Sequence, residues 1–391
     1  MSKGSQLRIV DFTKYMPGPL ASRILIDLGG DVIKVESPRG GDANRGASPY
    51  VHGQGLFHVA LNAGARSVAM SPRDERWAPL VEACARWADV IMVGGMPNVL
   101  DKLGIGFEKL TAINPKLVWC NVTGYGEKGP WRGLASHGLN PDAFAGLVPI
   151  EDNDGVPDPH GDYQSAGAPL SGVFAALGVL AALRRRDETG EAQRVHASMF
   201  GAAIWWNWRH VTALANLDKP WWRYKDFGGR YATYRCSDGG IVLVCPVEKN
   251  FWQSFCDLLD LPAEWRERGM WERTVMDHGF NYPEERAVIA ERMARMPRDH
   301  WVAEFTRINI PFAPILSAME AIDSEHAREN EVMREVDVEG QSARIPSLPV
   351  QVVSADGRAA QEGRLSTPPL GADAKSVFEE LGLASLASKD A

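Results

Sequence analysis

The feature that most constrains the fold of this chain is the alternation of short apolar runs with amphipathic segments over its first 120 residues. The apolar runs are rich in β-branched residues, and the segments between them have helical periodicity. Buried strands that alternate with helices are typical of βαβ units and a parallel sheet. The sequence therefore predicts an α/β fold. The predicted strands are residues 7–12, 31–36, 67–70, 89–93 and 117–122, and the predicted helices are residues 17–28, 77–87 and 100–113.

The alternation ends before a stretch rich in proline, glycine and aspartate, residues 149–161, which predicts a loop. A strongly apolar helix is predicted next, over residues 166–186. Residues 228–244 have the character of a hairpin with a Ser-Asp-Gly-Gly turn. Further predicted elements are helices between residues 251 and 306, a strand near 312–316 and a short helix after residue 371.

The charge of the chain restricts its partners. It has 391 residues, with 42 lysines and arginines against 50 aspartates and glutamates, which gives a net charge of −8. This length suggests two or three domains. A general nucleic-acid-binding protein carries a basic face, so we expect no nucleic-acid partner. No run approaches the roughly 18 uninterrupted apolar residues that span a bilayer, so we expect no membrane partner either.

The cysteines indicate a reducing compartment. There are five, an odd number, and none forms a C-x-x-C pair. Cys245 and Cys256 have no histidine nearby at the spacing of metal ligands. Because the predicted strand at 7–12 begins so early, we also expect no signal peptide before it. We interpret the cysteines as reduced thiols, and we expect a cytoplasmic protein without a metal site.

A glycine-rich turn follows the predicted strand 117–122. The sequence Gly-Tyr-Gly-Glu-Lys-Gly at 124–129 fits the dinucleotide pattern G-x-G-x-x-G. That pattern binds a pyrophosphate only where a helix begins at the turn, and Pro130, Gly133 and Ser136 disfavour a helix here. We interpret the segment as a glycine turn at the carboxyl end of a strand, an edge where ligands bind in open α/β sheets.

Asp162 is a candidate nucleophile. It lies in His-Gly-Asp-Tyr at 160–163, directly before the apolar helix. The position favours an N-cap whose oxygen accepts hydrogen bonds from backbone N–H groups. The same donors and the helix dipole would keep the carboxylate ionised. An ionised carboxylate could attack an activated acyl group and form a covalent intermediate. The sequence alone leaves the purely structural cap as the alternative.

His137 and Glu248 are candidates for acid–base roles. His137 lies in an irregular segment after the glycine turn, where a histidine can serve as a general base. Glu248 lies between a predicted strand and a predicted helix. The structural alternatives are a packed loop histidine and a helix-start acid that interacts with the helix dipole.

Several short motifs follow one another from about residue 7 to residue 330. They are VDFT and PGP at 10–19, DVIKVE at 31–36, GDANRG at 41–46, LNAGARS at 61–67, LGIG at 103–106, GYG and GPW at 124–131, GDY at 161–163, ETGEAQ at 188–193 and HAR at 326–328. In this order they resemble the family III CoA-transferases, the superfamily that also contains the α-methylacyl-CoA racemases.

The resemblance implies a Rossmann-like large domain made from both chain ends, plus a smaller α+β domain from the middle, in an interlocked homodimer. On this basis residues 1–204 form the first part of the large domain, and 205–226 form a linker. Residues 227–318 form the small domain, and 319–391 lead back to the large one. The linker contains the aromatic block that begins at Trp205, where bulky side chains suit a subunit interface.

The resemblance also implies a reaction. A family III transferase moves CoA from an acyl-CoA thioester to a small free carboxylic acid and holds no permanently bound cofactor. An aspartate at the position of Asp162 forms first an aspartyl anhydride and then an aspartyl-CoA thioester. The ionised carboxylate inferred from the residues suits that chemistry.

Two alternatives stay open. The racemases of the superfamily use a His–Asp pair at the positions of His137 and Asp162, and Glu248 resembles a glutamate near their site. Gly138 stands where racemases usually have aspartate, so the sequence falls between the two patterns. The other alternative is a non-catalytic protein that binds acyl-CoA or a nucleotide.

Coenzyme A is anionic, so its site on an acidic protein needs a local cluster of lysine and arginine. We therefore expect the four cationic candidates, those at positions 14, 39, 45 and 66, to converge. The glycine turn is a further candidate, as a source of backbone donors for the pantetheine arm. The CoA contacts implied by similarity are Lys14, Tyr15, Met16, Arg39, Arg45, Asn62, Arg66, Gly124, Tyr125 and Gly126.

Overall fold

Both ends of the chain contribute to one folded unit, and the middle of the chain forms another. The computed structural model describes residues 6–217, 219–220, 227–353, 355 and 365–387. The large unit comprises Met1–Trp208 and Glu329–Ala391, and the small unit comprises Arg209–Arg328.

The predicted strands and helices occur in the predicted order, among further elements that were not predicted from the sequence. The strands are β1 (Arg8–Asp11), β2 (Asp31–Glu36), β3 (Tyr50–Val51), β4 (Gln54–Gly55), β5 (Arg66–Ala69), β6 (Val90–Val93), β7 (Val118–Thr123), β8 (Ile150–Asn153), β9 (Val156–Pro159), β10 (Gln193–Ser198), β11 (Ala232–Arg235), β12 (Ile241–Val244), β13 (Phe312–Pro314), β14 (Met333–Val338), β15 (Gln341–Pro346) and β16 (Leu365–Ser366). The helices are α1 (Pro17–Asp27), α2 (Leu56–Asn62), α3 (Trp77–Trp87), α4 (Pro97–Lys102), α5 (Phe107–Ile113), α6 (Leu139–Phe144), α7 (Gly167–Thr189), α8 (Met199–Trp206), α9 (Trp208–Leu217), α10 (Lys249–Leu259), α11 (Glu285–Met293), α12 (Arg298–Ile308), α13 (Ala318–Ile322), α14 (Glu325–Glu329), α15 (Ala374–Glu380) and α16 (Ala384–Ala387).

A parallel sheet forms the centre of the large unit, which confirms the predicted α/β fold. Its strand order is β10-β7-β6-β1-β2-β5, and every neighbouring pair is parallel. From β1 the chain builds β2 and β5 to one side and later β6, β7 and β10 to the other. The strand order therefore reverses between β1 and β6, and the carboxyl ends of these two strands border a crevice.

Helices cover both faces of this sheet. On one face α1 packs against α7, and the buried side chains there include Leu25, Ala175 and Val179. Gly172 lies at this contact, where a Cβ atom would come within 2.6 Å of the Pro17 carbonyl oxygen, so glycine permits the close approach. On the other face α3, α5 and the C-terminal α15 bury their apolar side chains. Helix α15 returns the end of the chain to the large unit.

Two predictions for the large unit need correction. Residues 149–161 form a hairpin of β8 and β9 instead of a loop. Asp154 and Gly155 both have positive φ, 53° and 82°, which is the geometry of a two-residue Asp-Gly hairpin turn. The predicted helix 100–113 is two helices, α4 and α5, because Gly104 adopts a left-handed conformation between them, with φ of 76°.

The small unit combines a three-stranded antiparallel sheet, ordered β11-β12-β13, with helices. Strands β11 and β12 confirm the predicted hairpin, and β13 confirms the predicted strand near 312–316. Arg230 is fully buried beside Glu285, with a shortest nitrogen–oxygen distance of 2.7 Å, and its guanidinium stacks 3.9 Å from the Trp252 ring centroid. Of the predicted linker, residues 205–217 are mainly helical, whereas 218 and 221–226 lie outside the described residues.

Helix α7 meets the length and apolarity that a membrane-spanning helix needs, and within the described residues no other helix does. Half of its most apolar window is buried in the fold. A core helix of a globular domain has the same composition, and the contacts of α7 with α1 and the sheet are of that kind.

Candidate active site

A cavity of about 430 Å³ opens at the carboxyl end of the parallel sheet. Three strand ends contribute to its wall. Residues 13–18 follow β1, residues 94–96 follow β6, and residues 122–124 end β7. The cavity therefore lies at the point where the strand order reverses, which is where open α/β sheets bind ligands.

The lining of the cavity is mainly apolar with a few cationic groups. Lys14, Arg132 and His137 are the basic side chains among the lining residues. A mostly apolar wall with a few polar groups is typical of small-molecule sites. Among the described residues, no group of three or more His, Cys, Asp or Glu side chains is placed to hold a metal ion. The apolar side chains of the wall include Met16, Met96, Val122, Leu134, Ala168 and Met199.

His137 lies on the wall of this cavity. Its backbone N–H donates to Asn140 Oδ1 at 2.8 Å, which fixes the segment just before α6. Its imidazole is edge-on to the ring of Tyr15, with 6.2 Å between the ring centroids. The side chain is exposed. The structure thus leaves an imidazole free to meet a ligand in the cavity.

Asp142, which the sequence did not single out, performs the capping role predicted for Asp162. The N-cap residue of helix α7 is Ala166, whose own side chain makes no capping hydrogen bond. The Asp142 carboxylate accepts from the N–H of Ala166 at 2.9 Å and of Gly167 at 2.8 Å. It also accepts from the Tyr163 hydroxyl at 3.0 Å. The prediction that Asp162 is the N-cap is therefore wrong, because the helix begins too far beyond it.

The same contacts join the segment of His137 to that of Asp162. Asp142 is fully buried, on the helix that begins two residues after His137. A Cβ atom at Gly167 would lie 2.5 Å from its Oδ1, so only glycine admits the carboxylate there. Ser165 adds a second link by donating to the Gly138 carbonyl at 3.1 Å. Burial, and then the bond to Asp142, raises the pKa of Tyr163 well above its usual range.

Asp162 is exposed on the segment between β9 and α7. Its N–H lies 3.3 Å from His160 Nδ1. In the part of the chain that the structure describes, no hydrogen bond or ion pair engages its carboxylate. Asp162 is not among the residues that line the cavity, although Ser165, three residues later, is.

Some of the predicted CoA contacts line the cavity, and others do not. Lys14, Tyr15, Met16 and Gly124 line the cavity. Tyr125 instead packs against two aromatic rings, those of Trp131 and Phe144, at centroid distances of 5.1 and 5.9 Å. Gly126 forms the turn with φ of 92°, and its N–H donates to the Thr123 hydroxyl at 3.0 Å.

The four cationic candidates do not converge. Arg45 makes two hydrogen bonds of 2.8 Å with Glu36. Arg66 pairs with Asp31 at 2.6 Å and with Glu380 at 2.5 Å. Arg66 begins β5, so it lies at the amino edge of the parallel sheet, opposite the cavity.

Two other candidates also stand apart from the cavity wall. Asn62 ends α2 just before β5 and is buried, with its amide 3.2 Å from His58 Nδ1. Arg39 is exposed beyond the carboxyl end of β2. Of the four cations, only Lys14 therefore lines the cavity.

Glu248 belongs to the small unit and directly precedes α10. It occupies the N-cap position, but its side chain accepts no capping hydrogen bond. Its Oε2 atom is buried, and the described residues provide no hydrogen-bond partner for it. The placement agrees with an acid at a helix start, and the unpaired oxygen leaves an acceptor available.

Comparisons with known proteins agree with this architecture. The family model of CoA-transferase family III matches residues 5–374. An acetyl-CoA:oxalate CoA-transferase of Acetobacter aceti is 27% identical over 81% of this chain and 81% of its own length. A probable fatty acyl-CoA transferase of Mycobacterium tuberculosis is 31% identical over 75% of this chain and 78% of its own. A crystal structure of a CaiB/BaiF family protein from Brucella suis superimposes with a TM-score of 0.77 at 25% identity, covering 96% of this chain and 98% of that one. The chain therefore belongs to CoA-transferase family III.

Proposed function

We propose that this protein transfers CoA from an acyl-CoA thioester to a free carboxylic acid, with Asp162 as the nucleophile. The observation that carries the proposal is the difference in burial and hydrogen bonding between two carboxylates. Asp142 is buried and accepts three hydrogen bonds, whereas the exposed Asp162 carboxylate has no partner among the described residues. A carboxylate nucleophile needs its lone pairs available, and Asp162 meets that need.

The chemistry proceeds through four substitutions at carbonyl carbons. The Asp162 carboxylate attacks the thioester and expels CoA thiolate, which gives a mixed anhydride. The thiolate attacks the aspartyl carbonyl and expels the acyl group as a carboxylate, which leaves an aspartyl-CoA thioester. The acceptor carboxylate then attacks that thioester and again expels CoA thiolate. Attack of the thiolate on the acceptor carbonyl releases the new acyl-CoA and restores Asp162.

The cavity supports this reaction by its lining. Its apolar wall suits the uncharged part of a thioester, and Lys14 and Arg132 supply positive charge for an anionic ligand. No step needs a permanently bound cofactor. The names of similar proteins include oxalate, glutarate and mesaconate as acids, and we propose an acid acceptor here as well.

A second candidate is the epimerisation of a 2-methylacyl-CoA by His137 and Asp162. The position of His137 on the cavity wall favours it, because a base there could reach an α-proton of a bound thioester. A transferase could use the same imidazole to orient the carboxylate of its acid.

Incubation in heavy water separates the two reactions. We expect acyl exchange between an acyl-CoA and a free acid only when both are present, and no deuterium at the α-carbon with or without the acid. Mass spectrometry of the CoA esters, over a panel of acyl-CoA donors and acids, measures both. Deuterium incorporation that needs no acceptor acid would contradict the transferase and support the epimerase. Binding of acyl-CoA with neither reaction would leave the non-catalytic alternative.

We also propose the interlocked homodimer. Helix α7 presents an apolar stripe to solvent, with Val173, Leu177 and Leu180 exposed by 44%, 60% and 40%. Trp205 and Trp206 of α8 are each 58% exposed. Apolar surface of this extent marks an interaction site, and a second copy of the chain would cover it.

The variant Leu177→Asp is expected to lower the fraction of dimer that assembles when the unfolded chain is refolded, because it places a charge within the apolar stripe. Light scattering coupled to size exclusion measures the mass. Glu188→Asp, a conservative exposed change at the end of the same helix, serves as the control and should stay dimeric. A wild-type protein that is already monomeric at micromolar concentration would contradict the proposal.

The cysteines support a cytoplasmic location, which we propose in turn. All five are free thiols, and four of them are buried. Free thiols persist in reducing compartments.

A further inference from the structure

Tyr15, on the cavity wall, has a strained backbone. Its φ is +67°, in the left-handed region that bulky residues rarely adopt. Such a conformation is unfavourable for a residue with a side chain and persists only where the surroundings impose it. The strain occurs in the turn that joins β1 to α1, where the chain borders the cavity.

Two buried side chains impose this conformation. The N–H of Tyr15 donates to Asp42 Oδ1 at 3.1 Å. The Asn44 amide nitrogen donates to the carbonyl oxygen of Tyr15. Asp42 and Asn44 are 3% and 8% exposed, so both hydrogen bonds have a buried partner. The peptide groups on both sides of the strained residue are thus held.

A buried lysine anchors this arrangement. Lys34 Nζ lies 3.3 Å from Asp42 and donates to the Thr13 carbonyl at 3.0 Å. It also lies 3.4 Å from Asp11, whose carboxylate accepts from the N–H of Thr13 at 2.7 Å. Burial acts to lower the pKa of Lys34, but the charges of Asp11 and Asp42 outweigh it and raise that pKa above its usual value. Lys34 therefore stays charged and fixes both sides of the turn.

The strained backbone places the Tyr15 ring next to two other groups of the cavity wall. The ring meets the His137 imidazole edge-on, and the Lys14 ammonium lies 5.5 Å from its centroid. The residue is 45% exposed, so burial of apolar surface alone does not account for the position of its ring. The ring instead connects a cation and an imidazole of the cavity wall.

We propose that Asp42 and Asn44 are positioning residues, which hold Tyr15 in its left-handed conformation so that its ring sets the place of His137 and Lys14 at the cavity. The inference rests on the proposed CoA transfer. It adds a role for residues that do not themselves line the cavity.

The variant Tyr15→Gly tests the inference, because glycine adopts this conformation without strain. We expect its Tm to stay unchanged or rise by about 2 °C, while kcat/KM for CoA transfer falls about tenfold. Asp260→Gly is the matched control. Asp260 is an exposed residue of the small unit with φ of 50°, so the change relieves similar strain and should leave kcat/KM as it is. A clear loss of Tm in Tyr15→Gly, or an unchanged kcat/KM, would overturn the inference.

A double-mutant cycle tests the positioning directly. Asn44→Ala is expected to lower kcat/KM in the wild type but to cause little further loss in the Tyr15→Gly background, because the residue it positions is gone. Additive losses would mean that Asn44 acts by another route and would overturn the proposal. Calorimetric titration measures the CoA affinity of each variant. If the wild type catalyses no transfer, the proposed function fails on its own, and the same cycle is then judged on CoA affinity.

Discussion

Replacement of Asp162 by asparagine is expected to abolish CoA transfer, with kcat reduced roughly 10⁴-fold or more, as for other enzymes that lose their nucleophile. The amide cannot form an anhydride with the acyl group, so neither covalent intermediate arises. The carboxylate is exposed and makes no contact among the described residues that the amide would lose, so the variant should fold as the wild type does. Chromatography of the CoA esters measures transfer, and thermal unfolding checks the fold.

A matched control comes from the neighbouring hairpin. Asp154 is also an exposed aspartate, and its φ of 53° suits asparagine, so Asp154→Asn should keep full activity. In the wild type with an acyl-CoA, hydroxylamine should label residue 162 as a hydroxamate, which peptide mass spectrometry detects. Transfer that survives in Asp162→Asn, or a label at another residue, would exclude Asp162 as the nucleophile.

The sequence predicted the large unit well because its strands are short, apolar and separated by helices. Strand direction could also have placed Arg66 correctly. Arg66 begins its strand while Lys14 follows one, and in a parallel sheet the starts and the ends of the strands lie at opposite edges. The hairpin of β8 and β9 had a local signal too, the Asp154-Gly155 pair.

The capping role of Asp142 had no such signal. The hydrogen bonds from Asp142 to Ala166 and Gly167 span 24 and 25 residues, so they depend on how α6 packs beside α7. Asp162, close to the helix in sequence, was the better candidate by spacing alone. The buried Lys34 gave no signal either, since its partners Asp11 and Asp42 come together only in the folded unit.

The variant Asp142→Ala is expected to lower the free energy of unfolding by about 3 kcal/mol. Three donors, the N–H groups of Ala166 and Gly167 and the hydroxyl of Tyr163, lose their acceptor at once. Because Asp142 is fully buried, solvent replaces these bonds poorly. Urea denaturation measures the loss. CoA transfer should fall as well, since Asp142 holds the segments of both His137 and Asp162.

The variant Asp162→Ala distinguishes the roles of the two carboxylates in the same assay. It should leave the free energy of unfolding within about 0.5 kcal/mol of the wild type, as for other exposed positions, while it eliminates transfer. Asp142→Asn should fall between Asp142→Ala and the wild type in stability, because its one carbonyl oxygen can still accept from the helix start. Equal stability of Asp142→Ala and the wild type would contradict the cap. A large loss of unfolding free energy in Asp162→Ala would instead mean that Asp162 caps α7. The helix would then have to begin closer to Asp162 than described.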